Sequence, residues 1–326
     1  MSIDSVLPII TTPSVLSSSM LNDLGHDQSS IATLQNELAT GSAVTVASDN
    51  PSQAANILQL QAGVTRAHQY ATNASDGVSW LTLANSTIGS AMTVLDQVES
   101  AVEGLTGDEA SGNGSAVTGV STVVKGALGQ LLDLANTQYA GQALFSGTGT
   151  SARAYDTTTG LYVGAGTPPT RTVAPGNSIA VSVTGTDIFG STGPTGLLSK
   201  AAVTPAHPTT PAHPGLGILQ QMVVTLDKGT ATALARVGTT LLGKLQTAMS
   251  TVDAQAGTLG ADQIAMQGFS SEATDSVTAL EQELGDAQDV TMAQALTNLQ
   301  LQENAYQAAM YVTSQLDGMS LMSYLG

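Results

Sequence analysis

Cysteine is absent from this chain of 326 residues, so neither a disulfide nor a thiolate metal site can form. Charged residues make up only 10% of the chain and aromatic residues only 3%. No apolar run reaches the roughly 18 residues that a membrane-spanning helix needs. The N-terminal stretch Met1–Pro8 has no basic region before an apolar core, so we expect no cleaved secretion signal. These absences exclude disulfides, and from them we expect no membrane-spanning helix.

Lysine and arginine are scarce, and their positions are more informative than their number. None occurs before Arg66 or after Lys244, and these two end segments carry 15 acidic residues. The formal net charge is −17, which argues against nucleic acid and against anionic membranes as partners. Acidic ends that pair with each other cannot form salt bridges, so their contact must rest on apolar surfaces.

A long heptad repeat is the most informative feature that the chain does contain. From position 60 to position 102, steps of four and three residues pass through 13 positions, of which 11 are apolar. This spacing predicts the seam of a long helix packed on other helices. About 43 residues at about 1.5 Å each span about 65 Å, which is too long for the core of a compact domain. The seam includes Leu60, Val64, Val78, Leu81, Ile88, Met92 and Leu95.

Helical spacing at both ends frames a different pattern in the middle. It begins at Leu24, stops near Gly41 and resumes at Asn50–Gln53, whose residues form a capping box before the long helix. A second helix is expected to end near Gly141, and residues 144–195, rich in glycine, predict a β-rich insert. A Pro-rich stretch follows, in which Thr204–Pro208 recurs as Thr210–Pro214.

The returning segment again has helical spacing. We expect one helix to end near Val252, another to cover about 261–284, and the last to run from about Asp289 to Asp317 with Gly318 as its C-cap. The predicted segments are a flexible export or assembly segment (1–20), an N-terminal helical part (21–143), the β insert (144–195), a Pro-rich linker (196–217), returning helices (218–284) and a C-terminal assembly helix (285–326).

The predicted fold is therefore mainly α. Both termini form an elongated antiparallel helical bundle or coiled-coil rod, and a small β-rich domain is inserted between them.

Candidate catalytic and ligand-binding motifs are weak. Gly238–Lys244 matches the first seven positions of a P-loop, but Leu245 stands where a Ser or Thr must bind Mg²⁺. His207 and His213 lie in the Pro-rich stretch without a neighbouring carboxylate, so we interpret them as exposed linker residues. Acidic pairs such as Glu281 and Glu283 are typical of solvated helix faces. We therefore expect no catalytic residue, no cofactor and no metal.

Four sequence landmarks resemble one known family. Leu34–Gly41 and Ala47–Pro51, followed by Arg66 and Gln69–Asn73, are similar to the N-terminal signature of the flagellar hook-associated protein 3 family, which is flagellin-like. Three further landmarks follow in the family's order: Leu134–Thr148, Ile179–Phe189 and the C-terminal Ser320–Leu325. Together they cover most of the chain.

The resemblance implies a structural role in the bacterial flagellum. Members of this family are exported unfolded through the flagellar type III channel, without a cleaved signal, after a flagellar export chaperone has held them. Outside the cell they join the hook, through hook-associated protein 1, to the flagellin filament. They assemble with further copies of themselves as a ring of about eleven subunits.

The family also implies where the subunits meet. Its terminal helices form the inner tube of the assembly and are loose in the monomer. Carried onto this chain, the expected assembly interface consists of Leu24, Ile31, Leu34, Leu38, Leu296, Leu299, Tyr306, Met310, Leu321 and Leu325.

Two other functions remain open on the sequence alone. Flagellin, the filament subunit, shares the helical ends, and a coiled-coil tip or effector protein secreted by a type III system would share the heptads. An enzyme would need a nucleotide site, and Leu245 stands where such a site requires a Ser or Thr.

Overall fold

The computed structural model describes residues 13–42, 44, 48, 50–105, 114–149, 151–190, 196–200, 216–289 and 292–325. In the first helix the side chains are described from Ser18 onward, and in the last helix they are described up to Gln315. The helices in this part of the chain are α1 (Pro13–Thr40), α2 (Pro51–Glu103), α3 (Gly114–Ala135), α4 (Gly185–Phe189), α5 (Ile218–Leu226), α6 (Ala231–Arg236), α7 (Leu242–Gln288) and α8 (Met292–Leu325). The strands are β1 (Gln138–Tyr139), β2 (Gln142–Ala143), β3 (Thr170–Ala174) and β4 (Asn177–Ala180). Long helices at both ends and a small strand-containing insert confirm the predicted fold class.

The chain divides into two units. The terminal unit contains residues 1–66 and 276–326, and the central unit contains residues 67–275. Helices α2 and α7 each contribute to both units, and α1 and α8 belong to the terminal unit alone.

The start of α2 confirms Asn50 as the N-cap, but the second bond of the predicted capping box joins two side chains and does not reach the Asn50 backbone N–H. Asn50 Oδ1 accepts a hydrogen bond from the Gln53 backbone N–H at 3.2 Å, and Asn50 Nδ2 donates to Gln53 Oε1 at 3.0 Å. Pro51 takes the first helical position, where a missing N–H costs nothing. Gln53 Nε2 also donates to the carbonyl of Ala287 in α7 at 2.9 Å. The cap therefore connects α2 to α7 within the terminal unit.

Within the central unit, the heptad seam of α2 is inside the core. Every seventh residue from Ala67 to Val102 is buried, and the alternate seam positions between them are half-buried. A second buried stripe, which the heptad pattern did not predict, contains Trp80, Ala84, Ala91, Val94 and Val98. Two stripes on one helix mean that α2 packs against more than one neighbour, and α3, α5 and α7 share its core.

Helix α7 lies antiparallel to α2 in this unit. Met266 packs directly against Gly77, where an added Cβ would lie 2.6 Å from the methionine Cε. Asn85 Nδ2 donates to Gln263 Oε1 at 2.7 Å, and Gln263 Nε2 donates to Thr82 Oγ1 at 3.0 Å. A polar group at a seam position specifies helix register, so this bond fixes how α7 lies on α2.

The insert begins earlier than predicted. Helix α3 ends at Ala135, not near Gly141, because Ala140 and Gly141 both adopt positive φ angles and form the tight turn of the β1–β2 hairpin. Asn136 then accepts hydrogen bonds at its Oδ1 from the backbone N–H groups of Ala154 and Tyr155 at 3.0 and 2.9 Å. These bonds hold the first loop of the insert against the end of α3.

The rest of the insert packs on α2. Its aromatic core contains Phe145, Tyr155 and Phe189 in edge-to-face contacts with ring centroids 5.9 Å apart, continuous with the core of the helices. On the β3–β4 hairpin, Arg171 Nε lies 2.8 Å from Asp76 Oδ2, and its guanidinium carbon lies 5.4 Å from the Trp80 ring. The insert is therefore part of the central unit and does not have a core of its own.

The two ends of the Pro-rich linker lie side by side. Gly217 N donates to Ser199 O, and Ile218 N donates to Gly196 O, both at 2.8 Å. Leu197 and Leu198 are buried, so the segment at 196–200 belongs to the core, although the sequence placed it in the linker. The repeat at 204–214, with its two histidines, lies outside the described residues.

Three helix boundaries differ from the prediction. Helix α1 begins at Pro13 rather than Leu24, and α8 continues through Gly318 to Leu325. Helix α7 is one helix from Leu242 to Gln288, without the expected break after Val252. Its glycines do not end it because its buried positions continue in steps of seven: Val252, Leu259, Met266 and Ala273.

Candidate assembly interface

Helices α1 and α8 form an antiparallel pair. Ser42, just after α1, forms an antiparallel bridge with Asp289, just before α8, and Gln302 Nε2 donates to Asp27 Oδ1 at 2.8 Å. The end of α1 therefore lies beside the start of α8. In this register, Leu24 and Tyr306 form the next layer on one side of the Asp27–Gln302 bond, and Ile31 and Leu299 form it on the other.

Each helix contributes a seam at coiled-coil spacing. On α1 the half-buried residues in steps of four and three are Met20, Leu24, Asp27, Ile31, Leu34 and Leu38. On α8 the corresponding residues are Ala295, which is buried, and the half-buried Leu299, Gln302, Tyr306, Ala309 and Thr313. These twelve residues are called the terminal seam below.

The terminal seam is only partly covered. No residue of α1 from Ser18 to Thr40 is buried, and Ala295 is the single buried residue of α8 between Met292 and Gln315. A pair of helices buries a narrow stripe, whereas a bundle of three or four encloses its seam on all sides. The pair therefore leaves apolar surface that further helices could cover.

Helix α8 also presents apolar side chains outside the seam. Leu296 and Met310 are 51% and 52% exposed. Six of the twelve large hydrophobic side chains that are exposed in the described residues lie on α8: Met292, Leu296, Leu301, Met310, Tyr311 and Val312. Half of the exposed large hydrophobic side chains in the described residues therefore lie on this one helix.

The structure thus separates the predicted interface residues into three groups. Leu24, Ile31, Leu34, Leu38, Leu299 and Tyr306 lie together in the terminal seam, and Leu296 and Met310 are exposed beside it. Leu321 and Leu325 lie in α8, but their side chains are outside the described residues. The stripe expected on α8 is therefore two surfaces, one against α1 and one exposed to solvent, and the assembly role of all ten residues stays a prediction.

None of the predicted seam residues of α2 is exposed. Leu60, Leu81, Ile88 and Leu95 are buried, and Val64, Val78 and Met92 are half-buried.

Sequence reasoning found Leu299 and Tyr306 on the α8 side of the terminal seam and missed its other four residues. Ala295, Gln302, Ala309 and Thr313 are small or polar, so a search for large apolar residues passed over them. The steps of four and three residues were the available signal, because small and amide side chains occur at such positions when helices pack closely.

A groove runs beside the terminal seam. It encloses about 520 Å³ and is lined mainly by polar side chains, among them His26, Ser30, Thr33, Glu37 and Asn298. Leu34 and Leu301 contribute its apolar wall.

The weak catalytic motifs do not form sites in the described residues. The P-loop-like segment Gly238–Lys244 is a π-helical turn, Val237–Leu241, followed by the start of α7, so it has no phosphate-binding loop. No cluster of three potential metal ligands occurs among the described side chains. Among these same residues, no helix is both long enough and apolar enough to cross a membrane.

Comparison with known proteins places these features in a family. The bacterial flagellin N-terminal helical region matches residues 13–150, and the bacterial flagellin C-terminal helical region matches residues 242–325. Flagellar hook-associated protein 3 of Escherichia coli (strain K12) is 23% identical over 292 residues, which is 87% of this chain and 90% of that protein.

Solved structures show the same fold. A putative flagellar hook-associated protein from Vibrio parahaemolyticus has a TM-score of 0.57 and 18% identity, covering 74% of this chain and 100% of its own. The flagellar junction protein FlgL from Legionella pneumophila has a TM-score of 0.51 and 15% identity, covering 71% of this chain and 99% of its own. Because the two flagellin matches cover the helical regions at both ends, in the expected order, the chain belongs to the flagellin-like family, and flagellar hook-associated protein 3 is among its relatives.

Proposed function

We propose that this chain is a structural subunit of the bacterial flagellum, located at the junction between hook and filament and incorporated through α1 and α8. The relatives that match over most of their length are named hook-associated or junction proteins. This favours the junction over the filament itself. The flagellum is then also the place where the chain acts.

One observation carries the proposal: the terminal seam is half-buried while α8 exposes half of the large hydrophobic side chains that face solvent in the described residues. Burying apolar surface contributes about 25 cal/mol per Å². Helices of neighbouring subunits that cover this surface would complete a bundle that the single chain leaves open.

The charges of the terminal helices agree with such an assembly. Helix α1 carries Asp23, Asp27 and Glu37 and no Lys or Arg, and α8 carries Glu303 and Asp317 and likewise no Lys or Arg. Subunits cannot join these helices through Lys or Arg salt bridges between them, so apolar contacts and amide hydrogen bonds must hold them. Assembly should therefore be weak between isolated chains and strong only when many contacts form together.

We infer the partners from the family. Hook-associated protein 1 would lie on one side of a ring of these subunits and flagellin on the other, and an export chaperone would bind the chain before type III export. The relatives are structural proteins, and we expect no catalytic activity here.

Labelling on purified flagella tests the location. Because the chain has no cysteine, Thr157→Cys at an exposed position of the insert introduces a single site for a maleimide dye. We expect one fluorescent spot where filament meets hook, and none with the cysteine-free parent treated identically.

The main alternative is a filament subunit, because the matching regions are described as flagellin. Label along the whole filament would support that alternative and overturn the junction proposal. Label in the medium but not on flagella would instead support a secreted tip or effector protein.

A further inference from the structure

The terminal seam contains one polar layer. Asp27 and Gln302 occupy seam positions, and Gln302 Nε2 donates to Asp27 Oδ1 at 2.8 Å in a half-buried setting. In the register that this bond sets, the neighbouring seam positions are apolar or aromatic: Leu24 and Tyr306 on one side, and Ile31 and Leu299 on the other. A carboxylate at such a position costs stability relative to leucine, so its presence needs another explanation.

Asp27 can accept a hydrogen bond from Gln302 in one register of α1 and α8 only. Moving α8 by one heptad in either direction would place Asp27 opposite Ala309 or Ala295, which have no donor in their side chains. The carboxylate would then lose its hydrogen bond in a partly desolvated position. Polar layers in coiled coils select register in this way.

The layer also discriminates between partners. If α1 helices of two copies paired in parallel and in register, Asp27 would face Asp27 across the seam. The terminal unit contains eleven acidic residues and one arginine, Arg66, whose Nε donates to the carbonyl of Ala62 within α2. Two carboxylates that meet in a seam repel each other unless a cation lies close by.

Apart from Asp27, the seam of α1 would suit such a mistaken pairing. Met20, Leu24, Ile31, Leu34 and Leu38 form an apolar heptad stripe that can pack on a copy of itself. Subunits exported and assembled at high local concentration would meet through these stripes. A residue that disfavours pairing of α1 with α1 would then keep this helix available for α8.

We propose that Asp27 is the specificity-determining residue of the terminal seam: paired with Gln302, it makes α1 bind α8 in a single register and prevents α1 helices of different copies from pairing. The α8 partner can belong to the same chain or to a neighbour, because Gln302 offers the same donor in both cases. The inference rests on the proposed function only in assuming that copies meet through their terminal helices.

The experiment uses the whole chain of 326 residues, in which an introduced cysteine is unique. Met20→Cys places a thiol at the seam position one heptad before Asp27, so parallel pairing of α1 helices brings two thiols together as an intermolecular disulfide. The reporter is combined with Asp27→Leu or with the control Asp23→Leu, which removes the same charge from an exposed position of α1. Disulfide-linked dimer is measured by non-reducing electrophoresis, and association by sedimentation velocity.

We expect the Asp27→Leu chain to form about fivefold more linked dimer than the Asp23→Leu chain and than the reporter alone. Equal yields from the two leucine variants would overturn the inference. Leucine at position 27 adds an apolar residue to an apolar stripe, so the helix itself is not expected to unfold, and circular dichroism checks this.

A second pair of variants tests the register role from the α8 side. Gln302→Leu removes the donor and leaves Asp27 unpaired, whereas Gln300→Leu makes the same change at an exposed position of the same helix. We expect amide hydrogen exchange in α1 to become about tenfold faster in Gln302→Leu and to change little in Gln300→Leu. The same exchange rate in both would overturn the register role.

These outcomes are independent of the proposed location. A dye spot absent from the hook–filament junction would refute the proposed function while leaving the pairing rule intact. Unchanged dimer yields would refute the pairing rule while leaving the location intact.

Discussion

Gly217 lies where the backbone of the central unit leaves no room for a side chain. An added Cβ would lie 2.8 Å from Gly196 O and from Ser199 N, and 2.9 Å from Leu197 O. All three are backbone atoms, which cannot move aside as a flexible side chain does. The position requires glycine because two segments of chain approach each other closely there.

We predict that Gly217→Ala lowers the free energy of unfolding by about 2 kcal/mol or more, because overpacking forces the two segments apart. Urea denaturation followed by circular dichroism measures the change. Gly257→Ala is the control: an added Cβ meets nothing within 4 Å on the exposed face of α7, and alanine there should stabilise by up to about 1 kcal/mol. Equal midpoints for the parent and Gly217→Ala would contradict the prediction.

Asp227, at the end of α5, has a pKa that depends on its neighbours. The hydroxyl of Ser121 donates to its Oδ1 at 2.7 Å, and Lys125 Nζ lies 3.1 Å from its Oδ2. These hydrogen bonds hold the pKa of Asp227 below its ordinary value of 3.8. Because the carboxylate is favoured in the folded chain, its contribution to stability is complete above about pH 3.8 and is lost as pH falls toward the folded-state pKa.

Asp227→Asn should therefore destabilise the chain by about 0.5–1 kcal/mol at pH 7, a small amount because the pair is about half exposed. The difference from the parent should shrink below about pH 4, where the parent loses the same interaction. Denaturation at several pH values measures it, with Asp253→Asn, an exposed acid of α7, as the control. A difference that stays constant from pH 7 to pH 2 would show that the charge is not involved.

At the scale of elements, α8 has two faces with different tasks. Leu299 lies in the terminal seam next to the Asp27–Gln302 layer, and Leu296 is 51% exposed beside it. We predict that Leu299→Asp loosens the α1–α8 pair in the isolated chain, because a second carboxylate enters a partly desolvated layer and costs about 1–3 kcal/mol. Leu296→Asp should leave the isolated chain folded.

Both variants should nevertheless fail to incorporate at the hook–filament junction, since one weakens the pair and the other charges the surface that neighbours would cover. Motility and filament attachment measure incorporation, and circular dichroism of the purified chain separates the two causes. Gln300→Asp, with the same added charge at another exposed position of α8, controls for charge alone. Normal filaments from Leu296→Asp would show that this face is not an assembly surface.

The two ends of the Pro-rich linker (196–217) are held together in the core. A backbone hydrogen bond of 2.8 Å joins Ser199 and Gly217, so the described residues on either side of 201–215 lie next to each other in the core. We predict that replacing 201–215 with two glycines preserves the fold and changes the free energy of unfolding by less than about 1 kcal/mol, because a shorter loop costs little closure entropy. A loss of cooperative unfolding would contradict this, and it would show that the removed residues stabilise the core.

Elements with strong local signals were predictable, and those fixed by distant contacts were not. The Asn50–Gln53 cap and the heptads gave the start and the buried face of α2, because both signals lie within one stretch of sequence. The break expected in α7 was wrong because glycine propensity competes with packing, and packing wins where buried positions continue every seven residues.

The β1–β2 hairpin and the terminal seam also depend on contacts between distant residues, and the sequence did not predict those contacts. Ala140–Gly141 is not a strong turn dipeptide, and its positive φ angles depend on the insert that packs beside it. The Asp27–Gln302 layer joins residues far apart in sequence, and neither residue shows which partner it has. The pairing could be found only once α1 and α8 were placed together.

At the scale of the whole chain, charge and burial are divided between the two units. Seven of the eight basic residues belong to the central unit, and so do the ion pairs Lys125–Asp227 and Arg171–Asp76. The terminal unit has eleven acidic residues, one arginine and the half-buried seam. Its net negative charge opposes the association of its own helices.

We therefore predict that the terminal unit opens before the central unit and that salt delays the opening. Thermolysin is the suitable protease, since trypsin has no site before Arg66 or after Lys244. Early cleavage should fall in α1 and α8 and leave a resistant fragment containing the central unit, because locally unstable helices are cut through brief opening. Raising the salt concentration from about 0.05 M to about 0.5 M should slow these early cuts, because salt screens the repulsion between acidic helices. Cleavage of a peptide substrate, measured in parallel, corrects for the effect of salt on the protease. Two outcomes would contradict the prediction: α1 and α8 could resist protease as well as α3 does, or the corrected rate of the early cuts could be the same at both salt concentrations. Either outcome would show that the terminal helices are already stable in the single chain and do not depend on assembly for their order.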